Sequence, residues 1–216
     1  MARDDGEVEQ VEITGEIPVL PVRNTVLFPR SIVPIDVARE RSIAAVERAN
    51  GPGKFIAIVT QKDAADEGPD PRLHAVGCAA RVLKVIKLKK DNLAVILQGL
   101  RRIRIPDVDR SGPFLVARVE TIPEPDGLGD DVLLRKMQAV KESALQMIAM
   151  MPEMPKEATA LFTSIKRPGE LADVVASHFD TSVDARQKLL ETIPLAQRLD
   201  LALEQLNQAL ASLRQK

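Results

Sequence analysis

The side chains able to do chemistry are few, and their spacing gives them little to do together. His74 and His178 lie about a hundred positions apart and neither sits in an HExxH pattern, so they do not form a zinc pair on one helix face. The single Cys78 cannot begin a CxxC site. Flanked by Gly77 and Ala79 in an apolar run, it reads as an inert buried thiol. A nucleophilic serine needs a base that a third group orients. Ser164 and Lys166 are too close along a helix to face each other, and no serine has a glycine elbow. There is no GxxxxGK[ST] loop to cradle phosphates and no strand-linked GxGxxG. These residues do not assemble a catalyst. His178 falls on an apolar helical stripe, where it reads as a packed histidine.

Binding chemistry is better represented. Between positions 81 and 104 stand Arg81, Lys84, Lys87, Lys89, Lys90, Arg101, Arg102 and Arg104, against one acid, Asp91. On a hairpin these would form a basic stripe able to track phosphates, with Lys84, Lys87, Lys89 and Lys90 at its centre. The plainer reading is that lysines shield a long exposed hairpin from edge-to-edge pairing. It is preferred, because no aromatic rings are interleaved for stacking. The second feature is methionine: Met137, Met147, Met150, Met151 and Met154 crowd one stretch. Thioethers suit a surface that accepts varied apolar partners. Met137 and Met147 are expected to fill a helical core. Met150, Met151 and Met154, beside Pro152 and Pro155, are the candidate contacts. Phe28 and Pro29 at an early corner and Leu88 at the hairpin tip join them.

The elements that must position these residues begin at 16–37, EIPVLPVRNTVLFPRSIVPIDV. Apolar runs at 17–20, 25–28 and 32–37 are separated by Pro18, Pro21, Pro29 and Pro34. Proline lacks an N–H and fixes φ, so the stretch predicts an edge strand, an exposed corner at Phe28-Pro29-Arg30-Ser31 and a second strand. Residues 38–50 predict a helix with Ile43, Val46 and Ala49 on one face, stopped by Gly51-Pro52-Gly53. Residues 55–60 form a buried-strand run, and 63–72 a polar loop. Residues 73–88 and 93–105 predict a long hairpin turning at 89–92, bent or bulged near Gly77 and Gly99. A last strand covers 114–122. About six strands with Gly/Pro corners suggest a small, partly closed barrel.

The pattern changes at 123–129, PEPDGLG, a linker. Beyond it Leu133, Met137, Val140, Ala144, Met147 and Met151 follow helical spacing. A short helix is expected at 156–166. Pro168 opens the next, with Leu171, Val174, Val175 and His178 or Phe179 inward. A capping box at Thr181–Asp184 opens a further one. Pro194 begins a last helix, where Leu199, Leu203, Leu206 and Leu210 belong to a heptad-like seam. That seam predicts self-association or pairing with a neighbouring helix. Without a C-cap, the helix is expected to continue beyond Lys216. The domain boundaries are therefore an acidic leader at 1–16, a β-rich domain at 17–122, the linker at 123–129 and a helical bundle at 130–216.

The totals narrow the class. The chain has 216 residues, 45% apolar and 28% charged, with net charge −1. The near-neutral field gives no general attraction to nucleic acid or anionic membrane. No run reaches the length of a membrane span, one cysteine fits a reducing compartment, and a cytoplasmic location is expected. There is no Trp or Tyr and only five Phe, which weakens sites that bind by stacking.

Read whole, IPVLPVRNTVLFPRSIVPIDV at 17–37 resembles the opening of the amino-terminal domain of the ATP-dependent Lon protease family, LPLLPLRDxVVFPGxxxPLxV. The likeness continues through AIVTQK at 57–62, Val76-Gly77, LQG at 97–99, PGELADVVASH at 168–178 and KLLET at 188–192. It covers roughly everything after the leader. It implies an α+β fold: a PUA-like β pseudo-barrel of about six strands, then an all-α bundle ending in a long helix. It also implies a non-catalytic region that recognises unfolded or degron-bearing proteins and supports hexamer assembly, in protein quality control and the stress response. ATP, Mg and the Ser–Lys protease centre would belong to modules outside this chain, so no cofactor is expected within it. The competing readings are an RNA-binding PUA-like module and a stand-alone adaptor of the same fold. Two departures stand out. Arg30-Ser31 replaces a common glycine, and Arg167 precedes Pro168 where an acidic cap is usual, a cap contributing about 1 kcal/mol.

Overall fold

The structure is a computed structural model and describes residues 11–215. Most of the acidic leader thus lies outside the described residues. The chain divides into two compact units, one ending at Pro123 and one beginning at Glu124.

Among the described residues, the first unit is an eight-stranded mixed sheet with one α-helix. In chain order it contains β1 (Glu16–Val22), β2 (Ile32–Val37), α1 (Glu40–Ala49), β3 (Ile56–Thr60), β4 (Val76–Lys87), β5 (Leu93–Arg104), β6 (Val108–Asp109), β7 (Val116–Arg118) and β8 (Glu120–Thr121). The spatial order is β2-β5-β4-β3-β1-β7-β6, and β8 pairs with β5. Because only Val119 separates β7 on β1 from β8 on β5, the sheet returns to its own fifth strand and closes a pseudo-barrel. The β1 and β3 strands are parallel, which requires the crossover that β2 and α1 provide. The two strands beyond the expected six are two-residue pairings, too short to leave a periodic signal.

The first strand is not an edge. It pairs with β7 over 16–18 and with β3 over 19–22, so each side is used for half its length. The carbonyl of Pro21 accepts a hydrogen bond from Arg39 Nη2 at 3.1 Å. Carbonyl and nitrogen of one strand residue point the same way, so the N–H that Pro21 lacks faces away from β3. The edge is β2, which pairs with β5 alone and carries Pro34.

Alternation builds two cores. Ile56 and Ile58 of β3 join Ala45, Val46 and Ala49 of α1 with Leu93, Val95 and Leu97 of β5. Ala57 and Val59 face the opposite way, onto Ile17, Val19, Ile103, Leu115 and Ala117. The corner 28–31 is clamped rather than exposed. Arg30 N donates to Gly99 O at 2.9 Å, and Gly99 N donates to Ser31 O at 2.8 Å. A Cβ on Gly99 would lie 2.1 Å from Phe28 O, and one on Gly77 would lie 2.5 Å from Ile58 O. Close approach, more than bending, explains both glycines. Gly99 also borders a register shift opposite Ala79 and Ala80. Arg30 sits at φ 68, which explains why glycine suits this corner.

The second unit is helical: α2 (Asp131–Ala149), α3 (Glu157–Ser164), α4 (Pro168–His178), α5 (Val183–Glu191) and α6 (Leu195–Arg214). Asp130 caps α2, its Oδ1 accepting from the amides of Val132 and Leu133 at 2.9 and 3.1 Å. The cap of α5 is Ser182, whose Oγ accepts from Ala185 N at 3.1 Å. The expected box at Thr181 is thus displaced by one residue. Arg167 precedes α4 without a side-chain cap bond. Leu133, Met137, Val140, Ala144 and Met147 are buried, as their spacing predicts. Phe179 is buried, while His178 is exposed with its ring edge-on to Phe162. The heptad-like seam is consumed within the chain. Leu199, Leu206 and Leu210 are buried and Leu203 is half-buried, where α6 packs on α2 and α4. Self-association through that seam gives way to the other expected outcome, pairing with neighbouring helices. Arg198, 1% exposed, anchors the same helix. It donates to Thr192 O and Ile193 O at 2.8 and 2.9 Å and pairs with Glu124.

Candidate functional site

The register of β2, β5 and β4 sorts the side chains of the first unit's long hairpin onto two faces. Val82–Leu97–Val33 and Val85–Val95–Ile35 form cross-strand rows on the core side. Arg81–Gln98–Ile32, Lys84–Ile96–Pro34 and Ile86–Ala94–Asp36 form the outward rows. A register shift between Val82 and Lys84 makes Leu83 an extra residue, a bulge. It keeps Lys84 outward and Val85 inward, which strict alternation from Val82 would not do. The turn is closed by Leu88 N donating to Asn92 O at 2.7 Å. It holds Lys90 and Asp91 at φ 62 and 61.

The outer face is more apolar than a solvated hairpin requires. Ile32 is 60% exposed, Leu83 46%, Leu88 45% and Ile86 39%. Around them Lys84, Lys87, Lys89 and Lys90 are exposed. From the Ile32 row to the Ile86 row the face runs roughly 14 Å along β5, and about 10 Å across three strands. That is the footprint of four or five extended residues. Its chemistry is apolar contact bordered by ammonium groups, suited to a segment with exposed apolar side chains and acidic neighbours.

Of the residues singled out from sequence, the structure brings together Leu88 with Lys84, Lys87, Lys89 and Lys90 on this hairpin. Phe28 and Pro29 are corrected. Both are buried, Phe28 at 1% exposure under the clamp on Gly99, and neither offers a contact surface. Arg102 is also turned inward, its guanidinium 5.8 Å from the Phe28 ring centroid. The basic stripe is therefore broken at its β5 end. In the second unit Met150 is 38% exposed, and Met151 and Met154 are half-buried in the turns after α2. Cys78 is a buried thiol outside any disulfide, its Sγ donating to Ala79 O at 3.4 Å. Among the described residues, no His/Cys/Asp/Glu group is placed to hold a metal. No helix of those residues is long and apolar enough to cross a membrane. Sequence reasoning missed Ile32, Leu83 and Ile86. Ile32 and Ile86 follow from strand register, and Leu83 from a bulge with no residue signature.

The chain matches the family model of the ATP-dependent protease La (LON) substrate-binding domain over residues 16–208. It is 37% identical over 202 residues to a Lon protease of Anaeromyxobacter dehalogenans, covering 93% of this chain and 24% of that protein. With Lon protease 2 of Myxococcus xanthus the identity is 35% over 204 residues, covering 94% of this chain and 24% of the relative. The chain thus spans about a quarter of these curated relatives' length. Among solved structures it is similar to the N-terminal domain of the Mycobacterium avium complex Lon protease. That match has a TM-score of 0.69 and 22% identity, covering 89% of this chain and 98% of that one. A Lon N-terminal domain protein from Xanthomonas campestris gives 0.63 and 21%, covering 91% and 98%. At these identities the structural likeness speaks for the fold.

Proposed function

The chain belongs to the substrate-binding domain family of the ATP-dependent protease La (LON), and from that premise we propose that it captures exposed apolar segments of unfolded or degron-bearing proteins. The observation that carries the reading is the outward row of Ile32, Leu83, Ile86 and Leu88 interleaved with lysines. A folded monomer has no stability reason to display four large apolar side chains on one hairpin face. Each contact is weak, so retention of a client would come from several copies acting together. In this proposal the chain serves a longer, hexameric, cytoplasmic protease of quality control and the stress response. ATP and Mg act there in a module outside these residues. Met150, Met151 and Met154 supply a second apolar contact.

The test is an NMR titration of the 216-residue chain with a permanently unfolded, carboxymethylated client. Shifts concentrated on Ile32, Leu83, Ile86, Leu88 and the Met150 turn are expected. Shifts that avoid both regions would sink the assignment. The four exposed lysines favour one rival, an RNA-binding hairpin. A salt-dependent RNA complex abolished by replacing Lys87, Lys89 and Lys90 would support that rival instead.

A further inference from the structure

A cleft in the first unit, beside the start of α1, has no part in the hairpin face. Two cavities of about 370 and 500 Å³ share Pro21, Arg39 and Ser42 in their walls. The smaller falls in the size range of small-ligand sites and is walled by Val19, Pro21, Leu115, Pro69 and Pro71. The helix begins at its mouth. Its first turn closes with Ile43 N donating to Arg39 O at 2.9 Å. The amides of Glu40, Arg41 and Ser42 therefore lack an intrahelical acceptor, and all three residues line the cleft. Arg39 at the N-cap gives them no side-chain cap bond.

Two side chains mark the place as more than a helix end. Ser42 is only 6% exposed and lines both cavities, and its hydroxyl has no hydrogen-bond partner among the described residues. Arg39 donates to Pro21 O and forms no ion pair among those residues. Burial first, and the neighbouring Arg23 second, hold its guanidinium below its ordinary pKa against the weaker opposing pull of Asp66 and Glu67, a penalty that a bound anion relieves. The other cations are committed: Arg23 to Glu67 at 3.3 Å and Arg41 to Asp70 at 2.7 Å. Glu40 and Glu67 also line the cleft, so it is not a general positive field. An anion gains there only by reaching the amides, Ser42 and Arg39.

We propose that this cleft binds the C-terminal residue of a polypeptide whose last side chain is apolar. The α-carboxylate accepts from the α1 amides, Ser42 Oγ and the Arg39 guanidinium, and the side chain enters the Val19–Pro21–Leu115 pocket. An α-carboxylate carries its side chain on the adjacent carbon, which matches donors set directly against an apolar wall. A phosphate brings no apolar body. The proposal rests on the reading that the chain binds protein clients, and adds a site separate from the hairpin face.

Fluorescence anisotropy of the 216-residue chain tests it with a labelled hexapeptide ending in leucine, as free acid and as C-terminal amide. The acid is expected to bind at least about tenfold tighter, the scale of hydrogen bonds to a charged group. Ser42→Ala and Arg39→Gln should each weaken the acid several-fold and leave the amide unchanged. Replacing the terminal leucine by serine should weaken the acid too. Equal binding of acid and amide, or no binding of the acid at millimolar peptide, overturns the cleft. The acid–amide comparison needs no variant, so misfolding cannot imitate it. An apolar peptide blocked at both ends reports the hairpin face separately. If it binds while the acid gains nothing, the cleft falls and the client reading stands. If only the acid binds, through Ser42 and Arg39, the cleft stands and the hairpin assignment falls. Binding of neither overturns both.

Discussion

Replacing Ile32 and Ile86 with asparagine removes the apolar groups at the two ends of the hairpin face without touching either core cluster. Complete burial of an isoleucine side chain gains about 1.5–3 kcal/mol. Scaled by exposures of 60% and 39%, what a client can still bury is about 1.3 kcal/mol at Ile32 and about 0.9 at Ile86. Together these set a ceiling of about 40-fold in affinity, and partial coverage by a mobile client makes about tenfold the expected loss. Stability should fall by about 2 kcal/mol, because the covered part of each side chain is lost with the exposed part, although neither belongs to a core cluster. The chain has no Trp or Tyr, so a fluorescent label on the unfolded client gives a clean anisotropy signal. Far-UV circular dichroism under urea checks the fold. If Ile32→Asn/Ile86→Asn remains folded by circular dichroism and binds the client within twofold of the parent, the outward rows are not the contact surface.

Three further outcomes follow from the geometry. Gly99→Ala places a methyl 2.1 Å from Phe28 O and forces the clamp open. It should cost about 3 kcal/mol, the upper end for overpacking, and lower the urea midpoint of the first unit. Lys90→Gly relieves a left-handed φ of 62 in an exposed turn. After glycine's larger unfolded-state entropy it should stabilise by about 0.5–1 kcal/mol, seen as a higher midpoint. Glu124→Ala leaves the Arg198 guanidinium with carbonyl partners but without the carboxylate that balances its charge. Breaking a buried pair costs about 3–5 kcal/mol, and Glu124's partial exposure brings the expectation to about 2–3. A loss under 0.5 kcal/mol in urea unfolding would show that the carbonyls alone hold Arg198.

Much of the fold was legible because burial writes itself into the sequence at two periods. The 93–105 run alternates, and β5 buries Leu93, Val95 and Leu97 on one face. The 133–147 stripe repeats at three and four, and α2 buries those residues. What the pattern does not encode is partnership. A strand rich in proline looks like an edge, yet β1 is internal because β3 and β7 each take half of it. A leucine seam looks the same whether its partner is another copy or α2 of the same chain. Arg198 was missed although it stands three residues after Leu195 and one before Leu199, inside the stripe. A lone arginine on an apolar face signals a buried ion pair, and Glu124 hid its role in a segment that read as linker. At the candidate site, Leu88 and the lysines were visible by exposure at a turn. Ile32 and Ile86 became a surface only once the register set them on one face.

That surface raises a physical problem that its surroundings answer. An apolar edge strand beside an exposed hairpin is a template for self-pairing and aggregation. Here the edge is β2, where Pro34 cannot donate to a continuing ladder. The bulge at Leu83 breaks the regular spacing that a second sheet would need to match. The lysines around the tip repel an identical face but attract an acidic one. The same features that disfavour ladder pairing between two copies would leave the apolar side chains open to an irregular, unfolded segment, which needs no ladder and can adapt its path to the bulge.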